Sequence, residues 1–303
     1  MNLNTLKNAF PRCYFRYVKL RTGYLARRYA SDDPAAMEAN LRRLYRRRQG
    51  RALRLNPPVT YTEKIQWRKL HGLTPLHSRL SDKLAVRDWV AERIGEAYLI
   101  PLLGAWDSFG EIPFDALPDS FVLKTNNASS ANIIVPKKEG LNYSLAKQKF
   151  DHWLRFPYWY AWGYEMQYAA IRPKILAEAY LGEDLWDYKF LCFGGKVCFI
   201  WVDTGRGKDH KRHMFCPDWT PAPFNQKYPV SCGGVEKPGN LKHMIALAET
   251  LSAGFDHVRV DLYNCSGRIF FGEMTFTNGS GFEPILPGEW DEKLGRMWDI
   301  GNG

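Results

Sequence analysis

Residues 258–282, VRVDLYNCSGRIFFGEMTFTNGSGF, decide how this chain folds. β-branched and aromatic residues dominate both arms of this stretch, and Asn264, Ser266 and Gly267 cluster between them. That pattern predicts two strands joined by a tight turn. Asn at the first position and Gly at the fourth favour a three-residue loop, 265–267, followed by a bulge. The stretch is therefore expected to be a β-hairpin.

The three-residue loop also predicts which side chains share a face. It puts Asn264 opposite Arg268 and Asp261 opposite Phe271. Because side chains alternate along a strand, one face then carries an arginine and two carboxylates. The members of this charged face are Arg259, Asp261, Tyr263, Ile269, Phe271, Glu273 and Thr275. The members of the other face, which reads as core, are Val258, Val260, Leu262, Phe270, Gly272, Met274 and Phe276.

Charge on a buried sheet face is costly unless it is paired or bound to a metal. In the predicted register Asp261 and Glu273 lie diagonally across the hairpin, with Cβ atoms about 7–8 Å apart. Carboxylates can share Mg²⁺ and a phosphate chain over that distance. An ion-pair network of Arg259, Asp261 and Glu273 that only packs is the alternative, and the hairpin alone leaves both interpretations open.

Composition predicts a globular protein that is cytosolic or bound to the inner surface of a membrane. The 303 residues are 45% hydrophobic and 15% aromatic, enough for one large or two modest domains. No uncharged apolar run reaches about 18 residues, and the N-terminus lacks the apolar segment of a secretory signal. Six cysteines without C-x-x-C spacing indicate neither a zinc site nor a disulfide framework. They are Cys13, Cys192, Cys198, Cys216, Cys232 and Cys265.

The positive charge of the chain is concentrated at its N-terminus. Residues 1–54 hold 14 Lys and Arg against 3 Asp and Glu, whereas residues 55–303 hold 28 against 29. A basic helix with aromatic residues suits the anionic inner face of a membrane, where each Lys or Arg contributes about 1 kcal/mol. The alternative is a solvated helix packed on the domain, with too few apolar residues in 41–54 for deep burial. No nucleic-acid-binding motif accompanies the charge.

Two lysines stand next to features that suit phosphate. Ser81-Asp82 predicts the N-cap of a helix over 82–95, which would place Lys83 in its first turn. The strand FVLK delivers Lys124 into a loop of small polar residues before a second strand at 133–135. The backbone N–H groups and hydroxyls of that loop could close over phosphate oxygens, although GxxxxGK[ST] is absent and a plain hairpin stays open.

Other segments carry weaker signals. Thr60 or Thr62 is expected to cap a helix over 63–72, and residues 142–172 read as helical and rich in aromatic residues. Residues 187–203 predict two antiparallel strands that turn at Gly194-Gly195. His210 and His213 have no third ligand at metal spacing, so no metal site is predicted there.

The order of these parts resembles the ATP-grasp ligases, such as D-alanyl-D-alanine ligase. The motifs EKIQWRKL, SDKLAVRDWV, YLIPLLGAWDSF, FVLKTN, DYKFLCFGGK and VRVDLYN…FFGEMTF are similar to the TupA-like ATP-grasp family of bacterial surface-polysaccharide clusters. The resemblance covers about residues 55–300. It implies an α+β protein with the ATP-grasp fold, two α+β lobes clasping ATP, and a basic helical N-terminal extension.

The same resemblance implies four regions along the chain. They are a basic helical extension over 1–54, a pre-ATP-grasp region over 55–120, a lid lobe over 121–177, and a C-terminal lobe with a metal-binding hairpin over 178–303.

Residue roles also follow from the resemblance. Lys83 and Lys124 would neutralise ATP phosphates beneath a lid at 125–132 that includes Ser129 and Ser130. For adenine, the resemblance implies Glu178 and the backbone of Tyr180 and Leu181. For the ribose, it implies Glu183, Asp184 or Asp187. Lys189 is a further implied nucleotide-binding residue. For metal and acceptor, the implied residues are Asp261, Glu273, Thr275 and Asn278 for Mg²⁺, and Ser280 and Gly281 for the acceptor. Arg259 and Lys124 would be the catalytic residues, with Arg259 facing the charge that develops during phosphoryl transfer.

Two positions depart from the ATP-grasp pattern. The lid reads Asn-Asn-Ala-Ser-Ser where relatives carry glycine, and Thr275 stands where many ATP-grasp enzymes place a metal-binding Asn, for which Asn278 is the substitute.

The implied activity is that of an ATP- and Mg²⁺-dependent carboxylate–amine ligase working through an acyl phosphate. Its partners would be an amino acid as the amine and a uronic acid or related carboxylate, carried on a lipid-linked glycan in surface polysaccharide biosynthesis. A metal-dependent glycosyltransferase or sugar-phosphate transferase is the rival enzyme class. A membrane- or nucleic-acid-binding scaffold that uses residues 1–54 is the non-enzymatic rival.

Overall fold

The computed structural model describes residues 10–183, 185–205, 211–227 and 234–301. The chain divides into two compact units. The first unit comprises Met1–Asn40, Asp82–Leu84 and Pro101–Tyr180. The second comprises Leu41–Ser81, Ala85–Ile100 and Leu181–Gly303.

The first unit is built on a four-stranded antiparallel sheet. Its strands are β1 (Leu102–Trp106), β2 (Phe121–Thr125), β3 (Asn132–Val135) and β4 (Ile175–Ala179), in the spatial order β1-β4-β2-β3. Strands β2 and β3 form the predicted hairpin. Helix α6 (Tyr143–Trp153) packs Ala146 and Phe150 on this sheet, and the aromatic residues of the core lie around them.

The basic N-terminal segment forms two helices, α1 (Pro11–Tyr29) and α2 (Pro34–Gln49). Helix α1 packs against α6 and the short helix α7 (Tyr158–Ala161) in the first unit. Leu41 and Tyr45, further along the segment, are completely buried, and the Tyr45 hydroxyl bonds to Thr62 Oγ1 at 2.8 Å. The expectation that residues 41–54 are not deeply buried is therefore wrong, because Tyr45 adds its ring to the apolar surface of Leu41 and Leu53.

The second unit is built on a five-stranded antiparallel sheet. Its strands are β5 (Asp187–Phe193), β6 (Lys196–Thr204), β7 (Lys211–Phe215), β9 (His257–Cys265) and β10 (Arg268–Thr275), in the spatial order β10-β9-β5-β6-β7. Strands β8 (Asn225–Gln226) and β11 (Ile285–Leu286) form a separate pair. Helix α8 (Leu241–Ser252) covers one face of the large sheet with Met244, Ala248 and Leu251.

The remaining helices of the second unit are α3 (Tyr61–Trp67), α4 (Pro75–Ser81), α5 (Val86–Ile94) and α9 (Glu289–Met297). Thr60 caps α3 as predicted, since its side chain accepts from the Glu63 N–H while Glu63 bonds back to Thr60. The predicted helix start at Ser81-Asp82 is wrong. Ser81 ends α4, and α5 begins only at Val86, so Lys83 lies in the turn between them.

The hairpin of β9 and β10 exists as predicted, but its loop is shorter. Arg268 pairs with Cys265, which leaves a two-residue turn of Ser266 (φ 49°) and Gly267 (φ 89°). Two positive φ angles define a type I′ turn, whose twist suits a hairpin better than the predicted loop.

This shorter turn corrects part of the predicted faces. Ile269 and Phe271 lie in the core with Leu262, whereas Phe270 pairs with Tyr263 on the other side. A bulge at Gly272 then restores the alternation, so that Glu273 pairs directly with Asp261. A Cβ atom at Gly272 would lie 3.1 Å from the Asp261 carbonyl oxygen, which explains the glycine.

Within the described ranges, no helix is both long enough and apolar enough to span a membrane.

Candidate functional site

The charged face of the β9–β10 hairpin is organised around Arg259. Its Nε and Nη2 donate to the two Asp261 oxygens at 2.7 and 2.8 Å, and Nη2 also reaches Glu273 Oε1 at 2.9 Å. Nη2 donates further to Thr275 Oγ1 at 3.0 Å, and Nη1 donates to Asn278 Oδ1 at 2.6 Å. The four predicted metal ligands therefore all lie within hydrogen-bond distance of one guanidinium.

The strand order brings a second cation to Asp261. Lys189 on β5 is directly across from Asp261 on β9, and its Nζ donates to Asp261 Oδ2 at 2.8 Å. The same ammonium contacts Asp187 and lies 3.8 Å from Asp203 Oδ2. All four side chains are nearly fully buried.

Arg212 on β7 closes this network at the far edge. Its Nε and Nη2 donate to the two oxygens of Asp203 at 2.7 and 3.0 Å, a bidentate pair. Its Nη1 lies 3.5 Å from Glu283 Oε2. A line of alternating charges thus crosses all five strands of the sheet, from Glu273 on β10 to Arg212 on β7.

Burial and ion pairing shift the pKa values of Arg259 and Asp261 in opposite directions. Burial lowers the pKa of Arg259, but the negative charge of Asp261 outweighs that effect and holds the pKa above its usual value. Burial raises the pKa of Asp261, and the charges of Arg259 and Lys189 oppose this rise. Arg259 is therefore a permanent cation at the centre of the charged face.

The donor atoms of this face fit the chemistry of Mg²⁺. Mg²⁺ prefers hard oxygen ligands and is commonly held by one or two carboxylates together with substrate phosphates. Asp261 and Glu273 provide two carboxylates on paired positions, and the Glu273 side chain is 38% exposed. Among the described residues no group of three or more His, Cys, Asp and Glu side chains could hold a metal ion.

In the first unit, Lys124 and Glu178 form an ion pair. Strands β2 and β4 are neighbours, and Lys124 Nζ lies 2.5 Å from Glu178 Oε2. The Lys124 side chain is 16% exposed and that of Glu178 is 7% exposed. The residues predicted to meet phosphate and adenine are therefore in direct contact in this unit.

Lys83 lies over the start of the predicted lid. Its Nζ donates to the Ala128 carbonyl oxygen at 2.7 Å, and its backbone N–H donates to the Asn126 carbonyl oxygen at 3.2 Å. Ser129 and Ser130 are exposed at the tip of the loop, and Ser130 has a positive φ of 60°. A non-glycine residue in the left-handed region thus stands at the tip of the loop.

Asn126 anchors this loop and was missed in the sequence. Its Nδ2 donates to Asp82 Oδ1 at 3.0 Å and to the Arg172 carbonyl oxygen at 3.1 Å, while its Oδ1 accepts from the Lys174 N–H at 2.7 Å. The residue is almost completely buried. No local sequence signal marks it, because all three partners are more than 40 residues away.

The predicted adenine and ribose residues differ in exposure. Tyr180 and Leu181 are half-buried, and Glu183 is exposed. Asp187 is buried against Lys189, so it contributes to the charged network of the second unit. Asp184 lies outside the described residues.

The predicted acceptor residues form a turn that hydrogen bonds from Gln66 and Lys69 hold in place. Gly279, Ser280 and Gly281 all have positive φ angles of 52–64°. Lys69 donates to the Ser280 carbonyl and hydroxyl oxygens at 2.7 and 2.8 Å, and Gln66 donates to the same carbonyl at 3.0 Å. The motif EKIQWRKL therefore fixes the Ser280 turn, a role that its sequence did not indicate.

Two further predictions concern metals and thiols. His213 is buried, whereas His210 and Cys232 lie outside the described residues. The other five cysteines are free thiols.

Comparison with known proteins identifies a family. The family model described as TupA-like ATPgrasp matches residues 63–298. No curated protein matches the chain.

Several solved structures resemble the chain at low identity. The D-alanine–D-alanine ligase from Bacillus anthracis complexed with ATP is 15% identical, over 72% of this chain and 63% of that chain, with a TM-score of 0.40. The L-amino acid ligase from Bacillus licheniformis is 13% identical, over 83% of this chain and 56% of that chain, with a TM-score of 0.49. The chain thus spans less than two thirds of the length of both proteins.

Proposed function

The chain belongs to the TupA-like ATP-grasp family, and from this premise we propose that it is an ATP-dependent carboxylate–amine ligase. In the first step a substrate carboxylate oxygen attacks the γ-phosphorus of ATP, and ADP leaves. In the second step an amine attacks the carbonyl carbon of the acyl phosphate, inorganic phosphate leaves, and the amine loses a proton as the amide forms. The observation that carries this proposal is the buried Arg259 held by the four predicted metal ligands.

Arg259 suits the first step because it is charged and pre-oriented. Four side chains fix its guanidinium, so little reorganisation is needed when negative charge develops on the transferring phosphoryl group. Asp261 and Glu273 would hold Mg²⁺, with oxygens of Asn278 and Thr275 beside them. When bound, Mg²⁺ would neutralise charge on the phosphate oxygens.

The lysines of the first unit suit the nucleotide. Lys83 and Lys124 would bind phosphate oxygens, and Glu178 would accept a hydrogen bond from the adenine amino group. Lys124 and Glu178 would exchange their mutual contact for contacts with ATP, which keeps both groups hydrogen-bonded. Ser129 and Ser130 would add hydroxyl donors from the lid.

Lys189, Tyr180 and Leu181 would complete nucleotide binding. Lys189 would contact a phosphate oxygen, while the backbone of Tyr180 and Leu181 would bind adenine. Glu183, Asp184 or Asp187 would bind the ribose.

The acceptor is proposed to be an amino acid that contacts the Ser280 turn. A chain of positive φ angles turns the backbone of Ser280 and Gly281 back on itself, and Lys69 holds it there. The carboxylate is proposed to be a uronic acid or a related acid of a bacterial surface polysaccharide such as a capsule or O-antigen, on a lipid-linked glycan at the inner face of the cytoplasmic membrane.

The test couples nucleotide chemistry to amide formation. Purified protein with Mg²⁺ should bind ATP in calorimetry and release ADP only when a suitable carboxylate and amine are both present, with one amide formed per ADP. Glu273→Gln should lower this rate at least 100-fold, whereas Glu292→Gln on the exposed surface of α9 should not change it. Absence of nucleotide binding, or transfer of a sugar from a nucleotide-sugar donor, would refute the proposal.

A further inference from the structure

Helix α1 carries two apolar stripes on opposite sides. The first stripe is buried in the first unit and consists of Phe15, Thr22, Ala26 and Tyr29. Ala26 packs with Phe156 and Ala161, and the Phe15 ring contacts His152 with centroids 5.8 Å apart. This stripe explains why α1 is held on its unit.

The second stripe is exposed, so packing on the unit does not explain its apolar residues. Phe10, Tyr17, Leu20 and Tyr24 are 53%, 42%, 69% and 60% exposed, respectively. Phe10 is the residue directly before the helix. Within α1 the spacings of three and four residues put Tyr17, Leu20 and Tyr24 on one side, at about 180° from Phe15 for a rotation of about 100° per residue. Large apolar side chains on a solvated helix are ordinary when scattered, but these three are aligned.

Exposed arginines border the second stripe on both sides. At the same rotation, Arg16 and Arg27 lie about 60–80° to one side of its centre, and Arg21 and Arg28 lie about 40–60° to the other. Helix α1 contains no Asp or Glu. An apolar stripe between two rows of cations is the pattern of a helix that lies flat in an anionic membrane interface.

We infer that this face of α1, Phe10, Tyr17, Leu20 and Tyr24 with its flanking arginines, is the surface by which the protein binds an anionic lipid bilayer. The apolar side chains would enter the boundary between headgroups and acyl chains. The arginines would remain at the level of the lipid phosphates, where their long side chains reach outward.

The charges favour a membrane over the other partners of an apolar stripe. A second copy of α1 would bring two rows of arginines together without a carboxylate to pair them. Nucleic acid would pair its phosphates with the arginines but would offer no apolar surface to Leu20, the most exposed member. The inference does not depend on the ligase reaction, because it uses only this helix and its exposure.

The experiment measures binding of the full chain to vesicles. Sedimentation with phosphatidylglycerol–phosphatidylcholine vesicles should show binding that weakens as salt is raised, and vesicles of phosphatidylcholine alone should bind at least tenfold less. The double variant Leu20→Ser/Tyr24→Ser should lose at least tenfold in binding to the anionic vesicles. The double variant Arg21→Gln/Arg28→Gln should lose roughly 20-fold or more, about fivefold for each arginine.

The control is Met297→Ser, which alters a similarly exposed residue at the end of α9 and should bind like the wild type. Circular dichroism should show that every variant retains the helical content of the wild type. Three results would overturn the inference. They are failure of the wild type to bind anionic vesicles, equal binding by Leu20→Ser/Tyr24→Ser, and a lipid-free dimer or a tighter complex with an oligonucleotide that the same substitutions abolish.

Discussion

Arg259 and Asp261, two residues apart on strand β9, form a bidentate ion pair with both oxygens of the carboxylate engaged at 2.7 and 2.8 Å. The guanidinium is planar and has five N–H donors, so it can hold Asp261 in this way and still reach Glu273, Thr275 and Asn278. An ammonium group at the same position could not make these contacts together.

The substitution Arg259→Lys should therefore reduce activity while keeping the charge. We expect ADP release to fall about 100-fold or more, because the lysine cannot orient both carboxylates. Arg268→Lys is the matched control, since Arg268 is an exposed arginine on the same hairpin. A rate for Arg259→Lys within threefold of the wild type would show that the fork geometry is unimportant.

The ion pair of Lys124 and Glu178 should show coupling in stability. Lys124→Met removes a cation from a carboxylate that is almost fully buried, and we expect a loss of about 2–4 kcal/mol in the free energy of unfolding. The double variant Lys124→Met/Glu178→Gln should recover at least half of this loss, because the buried charge is also removed. ATP affinity should remain low in the double variant.

Guanidinium denaturation measures the free energy of unfolding, and calorimetry measures the ATP affinity. If the losses of Lys124→Met and Glu178→Gln simply add in the double variant, the two groups do not interact, and the ion pair has no energetic role.

Asn126 should prove to be a structural anchor of the lid. Asn126→Ala removes three partly buried hydrogen bonds and leaves the Arg172 carbonyl and the Lys174 N–H without the partner they have in the lid, so we expect the free energy of unfolding to fall by about 2–4 kcal/mol. Asn132→Ala on the exposed edge of β3 should change the free energy of unfolding by less than about 0.5 kcal/mol. Equal effects of the two substitutions in denaturant unfolding would contradict the anchoring role.

Two buried histidines predict that the protein loses stability in acid. Burial lowers the pKa of His257 to about 3 and that of His77 to about 4. His77 Nδ1 accepts from the Thr74 N–H, as only a neutral imidazole can, whereas the His257 ring donates from Nδ1 to the Cys192 carbonyl oxygen and is kept neutral by its complete burial.

The direction of the pH dependence follows from proton binding by the unfolded chain, whose histidines have pKa values near 6.5. Below that pH the unfolded state binds more protons than the folded state, so stability present above pH 6.5 is lost as pH falls towards 4. We expect each histidine to account for about 1–2 kcal/mol between pH 7 and pH 5. His77→Gln should flatten the pH dependence of unfolding, whereas His71→Gln, at an exposed site, should leave it unchanged.

The sequence by itself determined three hairpins, β2–β3, β5–β6 and β9–β10, and the family of the chain. Alternation of charged and apolar residues predicted that Arg259, Asp261, Glu273 and Thr275 share a face, and the structure confirms it. The motifs also identified the ATP-grasp family, because they are long local patterns that need no knowledge of contacts.

The local register of the hairpin required the tertiary structure. The type I′ turn moves Ile269 and Phe271 to the core face, and the bulge at Gly272 moves Glu273 back. A slip of one residue reverses every side chain and a bulge reverses them again, so the prediction of Glu273 was correct only because two deviations cancel.

Partners that are distant in the chain were decided only by folding. Lys189 meets Asp203 and Asp261 because β5 lies between β6 and β9, and Asn126 meets Asp82 and Lys174 through contacts that span more than 40 residues. Local propensity sets strands, turns and caps from neighbouring residues. The order of strands in a sheet depends instead on which surfaces bury one another, and that order assembled the charged network.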